Sequence, residues 1–338
     1  MGKLKASLFA IGITGNSIFD LTNMHNRDST FEPYVRLRES FQLCNIDLNT
    51  DDINNSEQII FQLHQDVQNT DSKAPAYLLL NETSMVRPVN ADRMSLCKYR
   101  KIFTWDDELA DGNRFVKINF PNPIQVHAVD GFSKRDRFCC LIAGNKTLSV
   151  RDNRNLYPER VTTIRWFEAN APKDFDLYGI GWDMPAVDSG LIGKIERRFW
   201  RLLANVFQLR PFPSYRGQIT HKREVLTRTR FAICYENVRD LPGYITEKIF
   251  DSFFSGCIPV YWGASNIEDY VPSDCFIDRR KFTNTEEVYH FLIAMTENEF
   301  IGYQQRIVRF LQSAAAYSFS SDFFAETIVK TIVQDLGI

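Results

Sequence analysis

Residues 231–278 read FAICYENVRDLPGYITEKIFDSFFSGCIPVYWGASNIEDYVPSDCFID. An apolar run, 231–235, ends abruptly at Glu236 and Asn237. A loop holding Pro242 and Gly243 follows, and Tyr244, Ile245, Thr246, Glu247 and Lys248 open a helix that stops at Gly256. A second apolar run, 258–262, stops at Gly263. The order is strand, helix, strand, with polar residues gathered where the strands end. In an open parallel sheet those ends are where ligands sit.

The start of that helix carries a conflict. Thr246 is an N-cap by residue type, and Glu247 suits the positive end of the helix dipole. Lys248 does not suit it, unless an anion is also present. A phosphate would remove the conflict, because the free N–H groups and the lysine would grip the same charge. The ordinary alternative is a lysine paired with a nearby carboxylate. The neighbouring Asn237, Tyr244 and Glu247 favour the phosphate.

Length and composition agree with two domains of ordinary size: 338 residues, 44% hydrophobic and 24% charged. A net charge of -2 gives no field that favours nucleic acid or an anionic membrane. The seven cysteines have no zinc spacing and mostly sit in apolar runs, so they read as small buried hydrophobes in a reduced compartment. Two lysines and a short apolar stretch open the chain like a signal peptide, but no small-residue cleavage site closes it. A first buried strand over 6–13 explains it more simply. No apolar run approaches the ~20 residues that span a bilayer.

Short apolar runs alternate with helix-period segments, which indicates α/β architecture. Strands are expected over 76–80, 101–104, 138–143 and 175–178, and helices over 34–41, 57–67, 92–99, 158–168 and 321–336. A change to proline, glycine and charge between 121 and 136 places a domain boundary at 132/133. The first domain is then 1–132 and the second 133–320, with the terminal helix, 321–338, free to pack back on the first. Strand ends carrying Glu82 in the first half, and Asn145, Asn237 and Gly263 in the second, would line a cleft if the two sheets face one another.

At these residues the chain resembles the alpha-1,3-fucosyltransferases. That family's pattern is a phenylalanine strand, an acidic-Asn pair, a Gly-Tyr-x-Thr-Glu-Lys helix start and then Pro-Val-Tyr-Trp-Gly. Here it stands at 231–237, 243–248 and 259–263, and 266–272 continues it. The run Asp176, Leu177, Tyr178, Gly179 and the group Asn81, Glu82, Arg87, Pro88 are weaker echoes. The resemblance implies a GT-B fold, with two Rossmann-like domains facing across a cleft, and inverting transfer of L-fucose from GDP-fucose to a hydroxyl of an acceptor glycan. It points to an alpha-1,3 linkage to N-acetylglucosamine or glucose in a surface polysaccharide. It implies that Asn237, Tyr244, Glu247 and Lys248 hold the nucleotide and that Glu82 is the base; Thr246, inside the motif, and Asn145, at its strand end, are placed on the donor side with them. An arginine near the diphosphate is also implied. Arg160 fits one form of the pattern and Arg210 another, and Arg216 stays open. Members with a membrane anchor and stem differ from this chain, which looks like a bacterial-type cytoplasmic member with at most loose contact with the inner membrane face.

The chemistry needs a base for the attacking hydroxyl, positive charge for the departing diphosphate, and exclusion of water. A partly desolvated Glu82 meets the first need; a turn-capping carboxylate is the alternative reading of it. Lys248, an arginine and the helix N-terminus meet the second. No cofactor or metal is expected, and Trp105-Asp106-Asp107 reads as a turn or cap rather than a manganese site. Two other functions use the same residues: transfer from another GDP-sugar, and nucleotide or glycan binding without catalysis. A nicotinamide oxidoreductase is disfavoured, because Gly12-Ile13-Thr14-Gly15 lacks the third glycine of the dinucleotide fingerprint.

Overall fold

The computed structural model of the chain describes residues 2–54, 58–70, 72–148, 152–185, 195, 198–200, 202 and 211–338. Its contacts divide into two units. Unit 1 takes in Met1–Ile124, Pro242–Tyr244 and Ala314–Ile338, and unit 2 takes in Gln125–Leu241 and Ile245–Ser313. The expected boundary at 132/133 falls inside unit 2.

Unit 1 is built on β1 (Leu4–Phe9), β2 (Ile46–Thr50), β3 (Phe61–Gln65), β4 (Ala76–Leu80), β5 (Lys101–Thr104) and β6 (Phe115–Lys117). They form one parallel six-stranded sheet in the order β2-β1-β3-β4-β5-β6. The central strands are buried on both faces, as parallel strands covered by helices must be. Helix Glu32–Leu43 lays Leu37 and Phe41 into the same core as Phe324, Ile328 and Ile332 of helix Ser321–Leu336, which places the terminal helix in this unit. That helix is capped at both ends. The Ser320 hydroxyl accepts from Phe323 N (3.0 Å), and Gly337 takes the left-handed conformation (φ 70°) that closes it.

The helix expected over 57–67 is instead β3. The segment Phe61-Gln62-Leu63-His64 has period two, and its polar positions are satisfied inside the sheet rather than by water. Gln62 donates to the carbonyls of Ala74 (2.8 Å) and Ser72 (3.3 Å). His64 is 1% exposed. Its Nδ1 lies 2.9 Å from the Tyr99 hydroxyl and its Nε2 3.0 Å from Gln62 Oε1. The neutral Nε2–H tautomer serves both, donating to Gln62 and accepting from Tyr99.

Burial pushes the His64 pKa down to about 4. Between pH 6.5 and about 4 the unfolded chain takes up a proton that the folded chain refuses, so this group removes stability as pH falls through that window. A shift of that size corresponds to roughly 3 kcal/mol at most. Denaturant unfolding at pH 7 and pH 4.5 should show a smaller acid loss in His64→Gln than in wild type. Equal losses would show that His64 does not drive it.

Five cysteines are buried, as expected, but Cys44 and Cys97 are exposed. Both are C-cap residues, at the ends of helices Glu32–Leu43 and Arg93–Leu96.

Unit 2 contains β7 (Arg137–Ile142), β8 (Phe175–Tyr178), β9 (Tyr215–Gly217), β10 (Thr229–Tyr235), β11 (Ile258–Trp262) and β12 (Ile277–Asp278). These also form a parallel six-stranded sheet, ordered β12-β11-β10-β7-β8-β9. The chain winds outward from β7 to β9, then crosses back and winds the other way from β10 to β12. This is the doubly wound order of a dinucleotide-binding domain. Its reversal point lies between β7 and β10, and the crevice beyond their carboxyl ends is where such sheets take ligands. Among the described residues, no helix is long and apolar enough to cross a membrane.

Candidate active site

β10 stops because the residue after it is charged. Glu236 has no exposure to solvent, and its carboxylate is fully engaged. Oε1 accepts from Thr246 N (2.9 Å), and Oε2 accepts from the Thr246 hydroxyl (2.7 Å) and from Lys248 Nζ (3.0 Å). Thr246 is the N-cap of helix Glu247–Phe254, as expected from sequence, but its side chain makes no capping hydrogen bond. It donates to Glu236 and accepts from Lys248 Nζ (2.9 Å). The conflict over a cation in the first turn is therefore resolved inside the protein, by a carboxylate. This corrects the expectation that an anion from outside is needed.

Lys248 keeps a 20% exposed side chain while holding this pair. Burial pushes its pKa down, but Glu236 and Glu247 outweigh burial and the net shift is upward. Glu247 lies 3.7 Å from Lys248 and 3.7 Å from Lys222. Desolvation pushes its carboxyl up; the two lysines more than offset that and hold it at about 2. Lys222 also pairs with Asp251 at 2.6 Å.

Arg160 enters from helix Tyr157–Asn170, in whose first turn Pro158 stands. It is 3% exposed. Its Nη2 donates to Tyr235 O (2.7 Å) and Asn237 Oδ1 (3.1 Å), and its guanidinium lies over the Tyr157 ring at 4.7 Å. Arg160, Lys222 and Lys248 share a cavity with residues at the carboxyl ends of β7 and β10, including Ile142, Ala143 and Tyr235. That is the reversal point of the sheet. The enclosed part of the cavity is only about 30 Å³. That is room for a water or two, so a nucleotide would have to lie in its open mouth.

The structure thus brings Arg160, Asn237, Thr246, Glu247 and Lys248 together. The others sit elsewhere. Asn145 staples a loop, its Nδ2 donating to Gly181 O (2.9 Å) and Met184 O (2.8 Å). Tyr244 is 2% exposed and belongs to unit 1, where its ring packs on Trp105 (4.8 Å) and Phe120 (5.7 Å). Gly243 before it has φ 81°, and a Cβ there would fall 2.2 Å from Trp105 O, so only glycine fits. Arg210 lies outside the described residues. Arg216 pairs with Asp176 at 2.6 Å.

Glu82 follows β4 in unit 1 and is exposed. Asp106 accepts from Glu108 N (2.9 Å) and Asp107 pairs with Lys117 (2.5 Å), the arrangement of a turn. Sequence reasoning assigned no role to Glu236 or Lys222. Glu236 had a signal, a carboxylate directly after a buried strand, which demands a partner. Lys222, in the short helix Lys222–Leu226, had none.

Comparison with known proteins follows the same stretch. Residues 205–321 match the family model described as glycosyltransferase family 10 (fucosyltransferase) C-term. An alpha-(1,3)-fucosyltransferase of Helicobacter pylori is 36% identical over 75 residues, 22% of this chain and 15% of that protein. An alpha-(1,4)-fucosyltransferase of Arabidopsis thaliana is 37% identical over 68 residues, 20% of this chain and 17% of that one. The chain therefore spans less than a fifth of either relative's length. Among solved structures, an alpha1,3-fucosyltransferase superposes with a TM-score of 0.52 at 16% identity, over 92% of this chain and 81% of that one. Sucrose-phosphate synthase from Thermosynechococcus elongatus gives 0.58 at 9% identity, over 99% and 100%. Identities this low speak for the fold alone, which is α/β of the GT-B type. Residues 205–321, about a third of the chain, thus resemble the C-terminal part of glycosyltransferase family 10, the fucosyltransferases.

Proposed function

We propose that the chain transfers L-fucose from GDP-fucose to a hydroxyl of an acceptor glycan, with inversion at the anomeric carbon. The observation that carries this reading is the placement of Lys248 and Arg160. Both meet at the carboxyl ends of β7 and β10, and Lys248 lies in the stretch that matches the fucosyltransferase family. The acceptor oxygen attacks the anomeric carbon as the bond to the β-phosphate oxygen breaks. The hydroxyl proton passes to the Glu82 carboxylate, and GDP departs with its electron pair. Lys248, Arg160 and the N–H groups of helix Glu247–Phe254 meet the developing charge. These groups take the place of a metal, and turnover should survive chelation by EDTA.

The two lysines hold the Glu247 carboxyl below the usual range, so it is ionised at neutral pH, which suits it to accept hydrogen bonds from ribose hydroxyls. Asn237 orients Arg160 from its amide oxygen. The acceptor unit is N-acetylglucosamine or glucose, and the linkage α-1,3. Incubation with GDP-fucose and a glycan panel, followed by NMR of the product, tests donor, linkage and stereochemistry together. Turnover of GDP-mannose with none of GDP-fucose would defeat the assignment.

A further inference from the structure

In unit 1, one buried carboxylate and one buried carboxamide converge on the backbone of Glu82. Asp66, just after β3, is 6% exposed and has φ 58°, a conformation that costs energy for any residue with a Cβ and is borne best by Asn and Asp. Its Oδ1 accepts from Asn81 N (2.9 Å), Glu82 N (3.1 Å) and Asn90 Nδ2 (2.8 Å). Asn90 is 5% exposed, and its Nδ2 also donates to Glu82 O (2.9 Å), while its Oδ1 accepts from Val67 N (3.1 Å). Both polar groups of the Glu82 peptide are thus tied to side chains withdrawn from water, although Glu82 itself is exposed.

Closing a turn needs less than this. A strand end next to solvent can satisfy its N–H and C=O groups with water. Here a backbone outlier and two buried polar side chains are committed to fixing one residue. A left-handed Asp is held only where its surroundings fix it, and such positions are found often at functional sites.

We infer that Asp66 and Asn90 are positioning residues that aim the Glu82 carboxylate, acting through its backbone; this rests on Glu82 being the base. Misplacement of a catalytic group by about 1 Å can cost on the order of a hundredfold in rate. Asn90→Ala should therefore lower kcat about tenfold to a hundredfold, with KM for GDP-fucose unchanged. The decisive measurement is the same substitution in a Glu82→Gln background. If Asn90 acts through Glu82, the second change costs almost nothing there. If it costs the same factor with and without Glu82, the inference is overturned.

Asp66→Asn keeps the left-handed backbone and one acceptor oxygen, so it serves if Asn90→Ala does not fold. It should show a smaller kcat loss that likewise vanishes in the Glu82→Gln background, and a persisting loss again overturns the inference. Thermal melts of each variant separate lost fold from lost aim. A Glu82→Gln enzyme as active as wild type would instead refute Glu82 as the base. That outcome is distinct from an impaired Glu82→Gln whose effect simply adds to that of Asn90→Ala.

Discussion

Lys248→Ala is expected to destabilise the protein by about 3 kcal/mol and to weaken GDP binding at least tenfold, and the two effects should separate. Removing one partner of a buried ion pair typically costs 3–5 kcal/mol, because the other charge is left buried. Glu236 has no solvent exposure, whereas Lys248 reaches solvent with a fifth of its side chain, so the lower end applies. Adding Glu236→Gln removes the stranded charge and keeps an acceptor for Thr246. Part of the lost stability should then return, since no uncompensated charge stays buried. GDP affinity should not return, because the cation that meets the diphosphate is still missing. Denaturant melts and calorimetric GDP titrations of the two single variants and the double variant check both. If the double variant binds GDP like wild type, Lys248 exists only to neutralise Glu236, and its role toward the donor must be given up.

That test bears on what the sequence could disclose. The motif from Phe231 to Gly263 was legible because each signal agreed with the next. Ile258–Trp262 is an unbroken apolar run stopped by glycine, and Glu247–Phe254 has an N-cap residue before it and Gly256 after it. The conflict at Lys248 was also legible, but its resolution was not. Which carboxylate answers it depends on a contact across the strand-to-helix loop that only folding creates. β3 was misread because a five-residue strand with alternating polar positions is too short to betray its period.

Other signals were present and unread. Ile46–Thr50 alternates in the same way as β3. Thr296 and Glu299 form a capping box that announces helix Glu297–Leu311. The site divides along the same line. Residues on the regular strand–helix motif could be listed from the chain. Lys222 arrives from a short helix with no pattern of its own, and Asp66 from the end of the misread strand.

Glu82→Gln is expected to lower turnover by about 10²–10⁴, the range in which a positioned general base contributes. The substitution preserves shape and removes only the ability to take a proton. GDP affinity should stay within about twofold, since Glu82 stands in unit 1 while Lys248 and Arg160 stand in unit 2. The exposure of Glu82 adds a second expectation. Covering a carboxylate raises its basicity, so an acceptor that covers Glu82 should strengthen it as a base. An extended glycan that covers Glu82 should then be fucosylated with a higher kcat than a monosaccharide that leaves it wet, and the difference should shrink in the glutamine variant. Steady-state rates for both acceptors, with wild type and variant, decide this. If Glu82→Gln keeps more than about a third of wild-type turnover, another carboxylate is the base, and Glu108, which follows the neighbouring strand β5 of the same sheet, becomes the residue to replace next.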